Sequence, residues 1–217
     1  MRRWLMAAGC LVAPVVAEAH PHVFIDATVE VVFDAEGRAE ALRIGWTYDE
    51  FFSMLIVEDR ALDPDYDAVL TPEAEAELAG FDMQWDAGFA GDTYALMNGV
   101  DLPLSRPEAF SASYADGKIT STHLRRFETP VAVGDVPLIV QVYDPGFYTA
   151  YAIVGETQLT GRDDCSAQVF EPDRSAADEA LLAALAEVSA DVDIEIAYPA
   201  IGAAYAEEAR ITCANPS

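Results

Sequence analysis

Two of the chain's three histidines stand one residue apart, in His20-Pro21-His22. Neutral imidazole is the commonest protein ligand for zinc, copper and nickel. A chain beginning at His20 would also offer its terminal amine. An amino-terminal motif with histidine in third place can wrap copper or nickel in a square plane through deprotonated backbone amides. Here Pro21 has no N–H to lose, so that mode is blocked. What remains is a tripod or tetrahedral site: His20, His22 and a distant third ligand. His123 is the third imidazole, and a carboxylate such as Asp26 or Asp144 could complete the set. Nitrogen and oxygen ligands together suit zinc first, and nickel or cobalt next. A copper oxygenase built on a His brace is a rival, because it needs the amine and ring of the first histidine plus one more.

A second oxygen-rich motif spans Asp63-Pro64-Asp65-Tyr66-Asp67 to Thr71. Aspartates at loop positions 1, 3 and 5 between two helices follow the EF-hand calcium pattern. Leu70 at position 8 and Thr71 at position 9 also fit. Two positions depart from it. Ala68 stands where Gly makes the sharp turn, and Ala74 stands where a bidentate Glu belongs. Calcium is therefore a weak expectation, with Asp63, Asp65, Asp67 and Thr71 as its candidate ligands.

Other chemistry is thinly represented. There is no G-x-S-x-G, no H-E-x-x-H, no phosphate-binding glycine loop and no dinucleotide fingerprint. No serine stands out as the nucleophile of a triad on His123. A non-enzymatic protein is expected.

The amino-terminal residues read as a secretory signal. Arg2 and Arg3 make its positive start, Trp4 to Val16 its apolar run, and Ala17-Glu18-Ala19 its cleavage site. The run is short of the roughly 20 apolar residues that span a bilayer. The expected organisation is a cleaved signal at 1–19 and a single exported domain at 20–217, with a helix–loop–helix insertion at 49–80. No membrane insertion is expected after cleavage. With Cys10 in the leader, Cys165 and Cys213 are left to form one disulfide in an oxidising compartment. The net charge of −26 repels nucleic acid and anionic lipid, while 52% apolar residues provide for a packed core.

The elements that must position these groups are mostly strands. Residues 22–33 alternate, with Val23, Ile25, Ala27, Val29, Val31 and Phe33 on one face and His22, Asp26 and Glu30 on the other. Strands are expected at 39–48, 137–144 and 147–154, and in hairpins turning at Asn98-Gly99 and Asp116-Gly117. Asp49 is placed to cap a helix over 50–60. Further helices are expected at 72–79, at 175–189 behind a Ser175–Asp178 capping pattern, and at 199–206. The fold class is α+β: a mostly antiparallel β-sandwich-like core, an inserted EF-hand-like helix–loop–helix and a C-terminal helix. The aromatic segment from Tyr143 to Tyr151 reads as a packed turn or a binding lip.

Several segments together resemble a known family. They are His20 to Ala27, Trp46-Thr-Tyr-Asp-Glu-Phe51, the Asp63–Thr71 loop, Gly80-Phe-Asp-Met-Gln-Trp85, Ser121-Thr-His-Leu124 and Gln141-Val-Tyr-Asp-Pro145. They resemble the periplasmic family called domain of unknown function one thousand and seven, from His20 to Cys213. That family is linked to ABC-type transport of nickel, cobalt or zinc. The resemblance implies an accessory role in metal handling beside a membrane transporter or permease. It also implies that His20, His22 and His123 match the family's histidines. The family's loop reads Asp-Pro-Asp-Gly-Asp-Gly with an acidic twelfth residue, from which Tyr66, Ala68 and Ala74 depart. The alternative from another class is an interaction module that docks on a permease through its acidic or aromatic surface.

Overall fold

A computed structural model describes residues 21–189 and 198–214. The signal segment and His20 lie outside the described residues. Strand β1 (Val23–Phe33) buries every second side chain, as its alternation requires. A tight turn then leads into β2 (Ala39–Tyr48). The Asp34 carboxylate holds that turn by accepting the amides of Glu36 and Arg38 at 3.0 and 2.9 Å. The two strands pair with Val29 opposite Ile44 and Ala27 opposite Trp46.

Helix α1 (Glu50–Asp59) starts where Asp49 accepts the Phe52 amide at 2.8 Å. It rests on the sheet through Ser53 and Val57. The buried Ser53 hydroxyl accepts the Ile119 amide at 2.9 Å. Helix α2 (Pro72–Leu78) is capped by Thr71 and begins with Pro72, whose missing N–H costs nothing there. Strands β3 (Thr93–Met97), β4 (Val100–Asp101), β5 (Glu108–Ala115) and β6 (Lys118–Val131) follow as the two expected hairpins.

The chain then continues through β7 (Leu138–Val142), β8 (Thr149–Ile153), β9 (Gln158–Thr160), β10 (Cys165–Phe170), α3 (Arg174–Ala186), α4 (Gly202–Tyr205) and β11 (Glu208–Cys213). One sheet has the order β5-β6-β2-β1-β8, with β9 also on β1. The other has the order β10-β11-β7-β3-β4. All pairings are antiparallel except those of β8 and β9 with β1. The fold is thus α+β with a sandwich-like, mostly antiparallel core. Adjacent in sequence, β7 and β8 belong to different sheets. The turn between them carries the chain across the sandwich, and Asp144 holds it by accepting the amides of Gly146 and Thr149 at 2.8 and 3.0 Å.

Between the sheets lie Val31, Leu42, Ile44 and Ile119 from one side and Leu138, Val140 and Ile211 from the other, all essentially inaccessible to water. Each such side chain contributes about 1.5–3 kcal/mol of burial. Cys165 and Cys213 face each other across β10 and β11 and form the expected disulfide, with a sequence separation of 48. A loop of that length contributes roughly 4 kcal/mol on the chain-entropy model. The start of α3 differs from expectation. Asp173, not Ser175, caps it by accepting the Ala176 amide at 3.1 Å, so the helix begins at Arg174. No helix among the described residues is long and apolar enough to cross a membrane.

Candidate functional site

Among the described residues, the expected metal ligands do not converge. His22 precedes β1, exposed, its amide donating to the Tyr148 carbonyl at 2.8 Å and its ring 4.8 Å from that of Tyr148. Asp26 is exposed on the same outer face. His123 is on β6, opposite Ile44, which is opposite Val29. Its side chain enters the core and is 0% exposed. His22 and His123 therefore occupy opposite faces of one sheet. They are also offset by roughly 23 Å along the strands, at about 3.3 Å per residue. Bonds of about 2 Å to one ion cannot span that gap. The expected centre of His20, His22 and His123 is corrected accordingly: His123 is not a partner of His22. Asp26 faces away from His123 as well, and Asp144 is spent on its turn. The face that β6 turns inward, Ile119-Ser121-His123-Arg125-Phe127, mixes apolar and polar residues, so its burial was not readable locally.

Among the described residues, one group of three potential ligands lies within 4.8 Å: Asp63, Asp65 and Asp67. The loop folds on itself as the aspartate spacing suggests. Asp63 accepts the amides of Asp67 and Ala68 at 3.2 and 3.0 Å, and Asp67 accepts that of Val69 at 2.9 Å. Ala68 makes the glycine-type turn anyway, at φ 60°, with Tyr66 at φ 57°. A left-handed alanine costs about 1–2 kcal/mol, which the amide bonds offset. The second half of the loop is different. Thr71, the expected ninth-position ligand, spends its hydroxyl on the Ala74 amide at 3.2 Å. Ala74 is buried against the core, and Glu75 turns to the Tyr114 amide at 3.5 Å. Three carboxylates remain where calcium takes six to eight oxygens, so water must supply the rest.

A second constellation lies in the core and was not anticipated. The segment from Gly80 to Asp92 runs over the surface at 86–90 but turns the carboxylates of Asp82 and Asp92 inward. Asp82 accepts from the Tyr48 hydroxyl at 2.7 Å and from the Ser121 hydroxyl at 2.5 Å. Asp92 accepts from the Tyr151 hydroxyl at 2.9 Å. Burial raises the pKa of Asp82 and pushes that of Asp92 up to about 7, where the charge of Asp144 adds to it. Beside them, the His123 ring stands edge-on to Trp46 and Trp85, with centroids 4.7 and 5.6 Å away. Burial, helped by Arg125, lowers its pKa to about 3, so the ring is neutral.

Arg125 lies over Trp85 at 5.1 Å and donates to the carbonyls of Ala90, Thr93, Ser105 and Leu104. It ties the inserted segment to β6. Both ring nitrogens of His123, one oxygen each of Asp82 and Asp92, the Thr93 hydroxyl and the Trp46 indole N–H are buried without a partner. Ser121 gives its proton to Asp82, and His123 makes no hydrogen bond, so no Ser–His pair forms here.

Trp46, Tyr48, Asp82, Trp85, Ser121 and His123 come from three of the segments that carry the sequence resemblance, and they meet in this one cluster. In sequence, Trp46, Tyr48, Ser121 and His123 interrupt otherwise apolar strand faces, while Asp82 and Trp85 come from the irregular segment between α2 and β3. No curated protein matches the chain. A family model does, across residues 5–213, which cover the buried cluster and the acidic loop alike. The chain therefore belongs to the family described as protein of unknown function, DUF1007.

Proposed function

We propose that this protein is an exported, non-enzymatic accessory module of divalent-cation handling that works in the periplasm beside a membrane transporter. The observation that carries this reading is the loop that holds Asp63, Asp65 and Asp67 within 4.8 Å of one another. Carboxylates and carbonyls are hard ligands, so the loop suits a calcium-class ion. With three carboxylates and no bidentate twelfth position, its affinity falls in the range of about 10⁻⁴–10⁻³ M typical of extracellular modules. The cross-strand disulfide fits an oxidising compartment. A zinc, nickel or cobalt ion would have to be held by His22 with groups at the amino terminus, without His123.

The test is calorimetric titration of the chain beginning at His20 with calcium, zinc, nickel and cobalt, repeated on two variants. Calcium binding is expected to disappear in Asp63→Asn/Asp65→Asn and to persist in His123→Ala. Binding that survives the double substitution would sink the acidic-loop site.

One observation favours docking as a second reading. Phe51, Met54 and Leu55 form an exposed apolar stripe on α1, and Phe51 is 65% exposed. Phe24, also exposed, lies beside the start of that helix, because Asp49 accepts its amide at 3.0 Å and returns a backbone bond to its carbonyl. A permease is the partner this reading requires. Loss of co-purification with the transporter in Phe51→Ser/Leu55→Ser, with cation binding intact, would favour docking over cation capture.

A further inference from the structure

A cleft of about 330 Å³ opens against the outer side of the buried cluster. Its inner wall includes Trp85, Thr93 and Arg125, and Arg106 stands at its side. In so acidic a chain, nearly every arginine has a carboxylate to answer. Arg38, Arg43, Arg126, Arg162, Arg174 and Arg210 each lie within 4.0 Å of one. Among the described arginines, Arg60, Arg106 and Arg125 do not. Arg60 lies elsewhere, over Phe81. Arg106 and Arg125 share this cleft and approach the same indole, at 6.0 and 5.1 Å from the Trp85 ring.

The donors of Arg125 are largely committed to carbonyls, so it contributes an uncompensated charge. Arg106 is exposed, lines the cleft and makes one side-chain hydrogen bond, to the Trp85 carbonyl at 2.6 Å. The remaining wall is apolar and aromatic: Phe89, Tyr94, Leu102 and Leu104. Thr93 adds a buried hydroxyl with no protein partner. Asp101, also on the lining, sets one negative charge beside the two positive ones without pairing with either arginine.

We propose that this cleft binds a small organic monoanion, a carboxylate carried on a flat apolar body, with the carboxylate on Arg106 and the body against Phe89 and Tyr94. Three observations converge on that class. The paired guanidinium groups select a carboxylate over a neutral group. The aromatic wall accepts a planar body. The residual charge of one matches a single negative charge, and the acidic surface around it disfavours a second. The volume sits at the lower end of small-ligand pockets, which begin near 300 Å³. The proposal is independent of cation binding at Asp63–Asp67.

The experiment titrates the chain beginning at His20 with 3-phenylpropionate and follows tryptophan fluorescence, with 3-phenylpropionamide as the neutral twin. Saturable quenching by the acid is expected, with the amide at least tenfold weaker. Arg106→Ala, an exposed position whose fold is checked by circular dichroism, should weaken the acid about tenfold. Asp101→Asn should tighten it two- to threefold by removing the opposing charge. Equal binding of acid and amide, no saturable binding of the acid, or unchanged affinity in Arg106→Ala would each overturn the proposal.

Discussion

The carboxylates of Asp63, Asp65 and Asp67 stand at the surface, and those of Asp82 and Asp92 turn inward onto tyrosine hydroxyls. In the loop, backbone amides and water solvate the charges, and three aspartates can crowd within 4.8 Å. In the core, Asp82 has only the hydroxyls of Tyr48 and Ser121 and Asp92 only that of Tyr151, and burial favours the protonated acid. The same side chain is thus a cation-attracting group in one region and a proton holder in the other. Charge by itself does not identify a site; the dielectric around the charge does.

Asp92 offers the largest effect with which to break this contrast. Its pKa is raised from 3.8 to about 7, so the native state holds a proton that the unfolded chain gives up. Its contribution to stability is full below about pH 4 and is lost as the pH rises to about 7. At 1.36 kcal/mol per pKa unit, the loss is roughly 4 kcal/mol. Asp92→Asn should therefore gain stability over the parent at pH 8 and lose that gain at pH 4, as read from urea midpoints. An identical difference at both values would show that Asp92 is solvated like the loop aspartates.

His123 works in the opposite sense. Its pKa is lowered from 6.5 to about 3, so the unfolded chain binds a proton that the native core refuses. The associated stability is full above about pH 6.5 and is lost as the pH falls towards 3. Across roughly pH 4 to 6.5 the slopes of His123 and Asp92 oppose each other, and the parent profile should be nearly flat. His123→Phe keeps the edge contacts with Trp46 and Trp85 and removes two unpartnered nitrogens. It should unmask a stability that falls with rising pH, and it should gain about 1 kcal/mol at pH 7. A profile parallel to the parent's would place the imidazole in contact with water.

The loop gives smaller effects. Ala68→Gly removes a left-handed alanine at φ 60° and should stabilise the chain by about 1 kcal/mol in thermal melts. Failure to raise the melting temperature would mean that the loop changes conformation in solution. Smallest of all, Asp63→Asn/Asp65→Asn should leave the calcium-free stability within about 0.5 kcal/mol, because an amide oxygen at 63 can still accept from the loop backbone and the exposed Asp65 contributes little to folding. A large loss would make the loop a structural staple rather than a ligand site.

Much of the architecture was legible because its causes are local. Alternation with period two placed β1 and β2, and Asp49 and Thr71 announced two helix starts. Cysteine count and compartment were enough to pair Cys165 with Cys213. The aspartates of the 63–67 loop were legible for the same reason, since their ligand geometry is set within a few residues. The assignment of β7 and β8 to different sheets was not legible, because each strand reads the same whichever neighbour it pairs with. The aromatic segment proved to be a packed crossing, with Tyr143 stacked on Tyr94 and Phe147 on Tyr205.

The sequence by itself therefore determined which residues lie in strands, where two helices begin, which cysteines join, and that an acidic loop separates two helices. Only the tertiary structure decided that His123 faces the core while His22 faces water, and that Asp82 and Asp92 are buried beside it. The physical reason is that strand periodicity assigns side chains to two faces without saying which face a second sheet will cover. For β1 the apolar face answers that question. For β6, whose inward face carries Ser121, His123 and Arg125, only the packing of the 80–92 segment and the second sheet answers it.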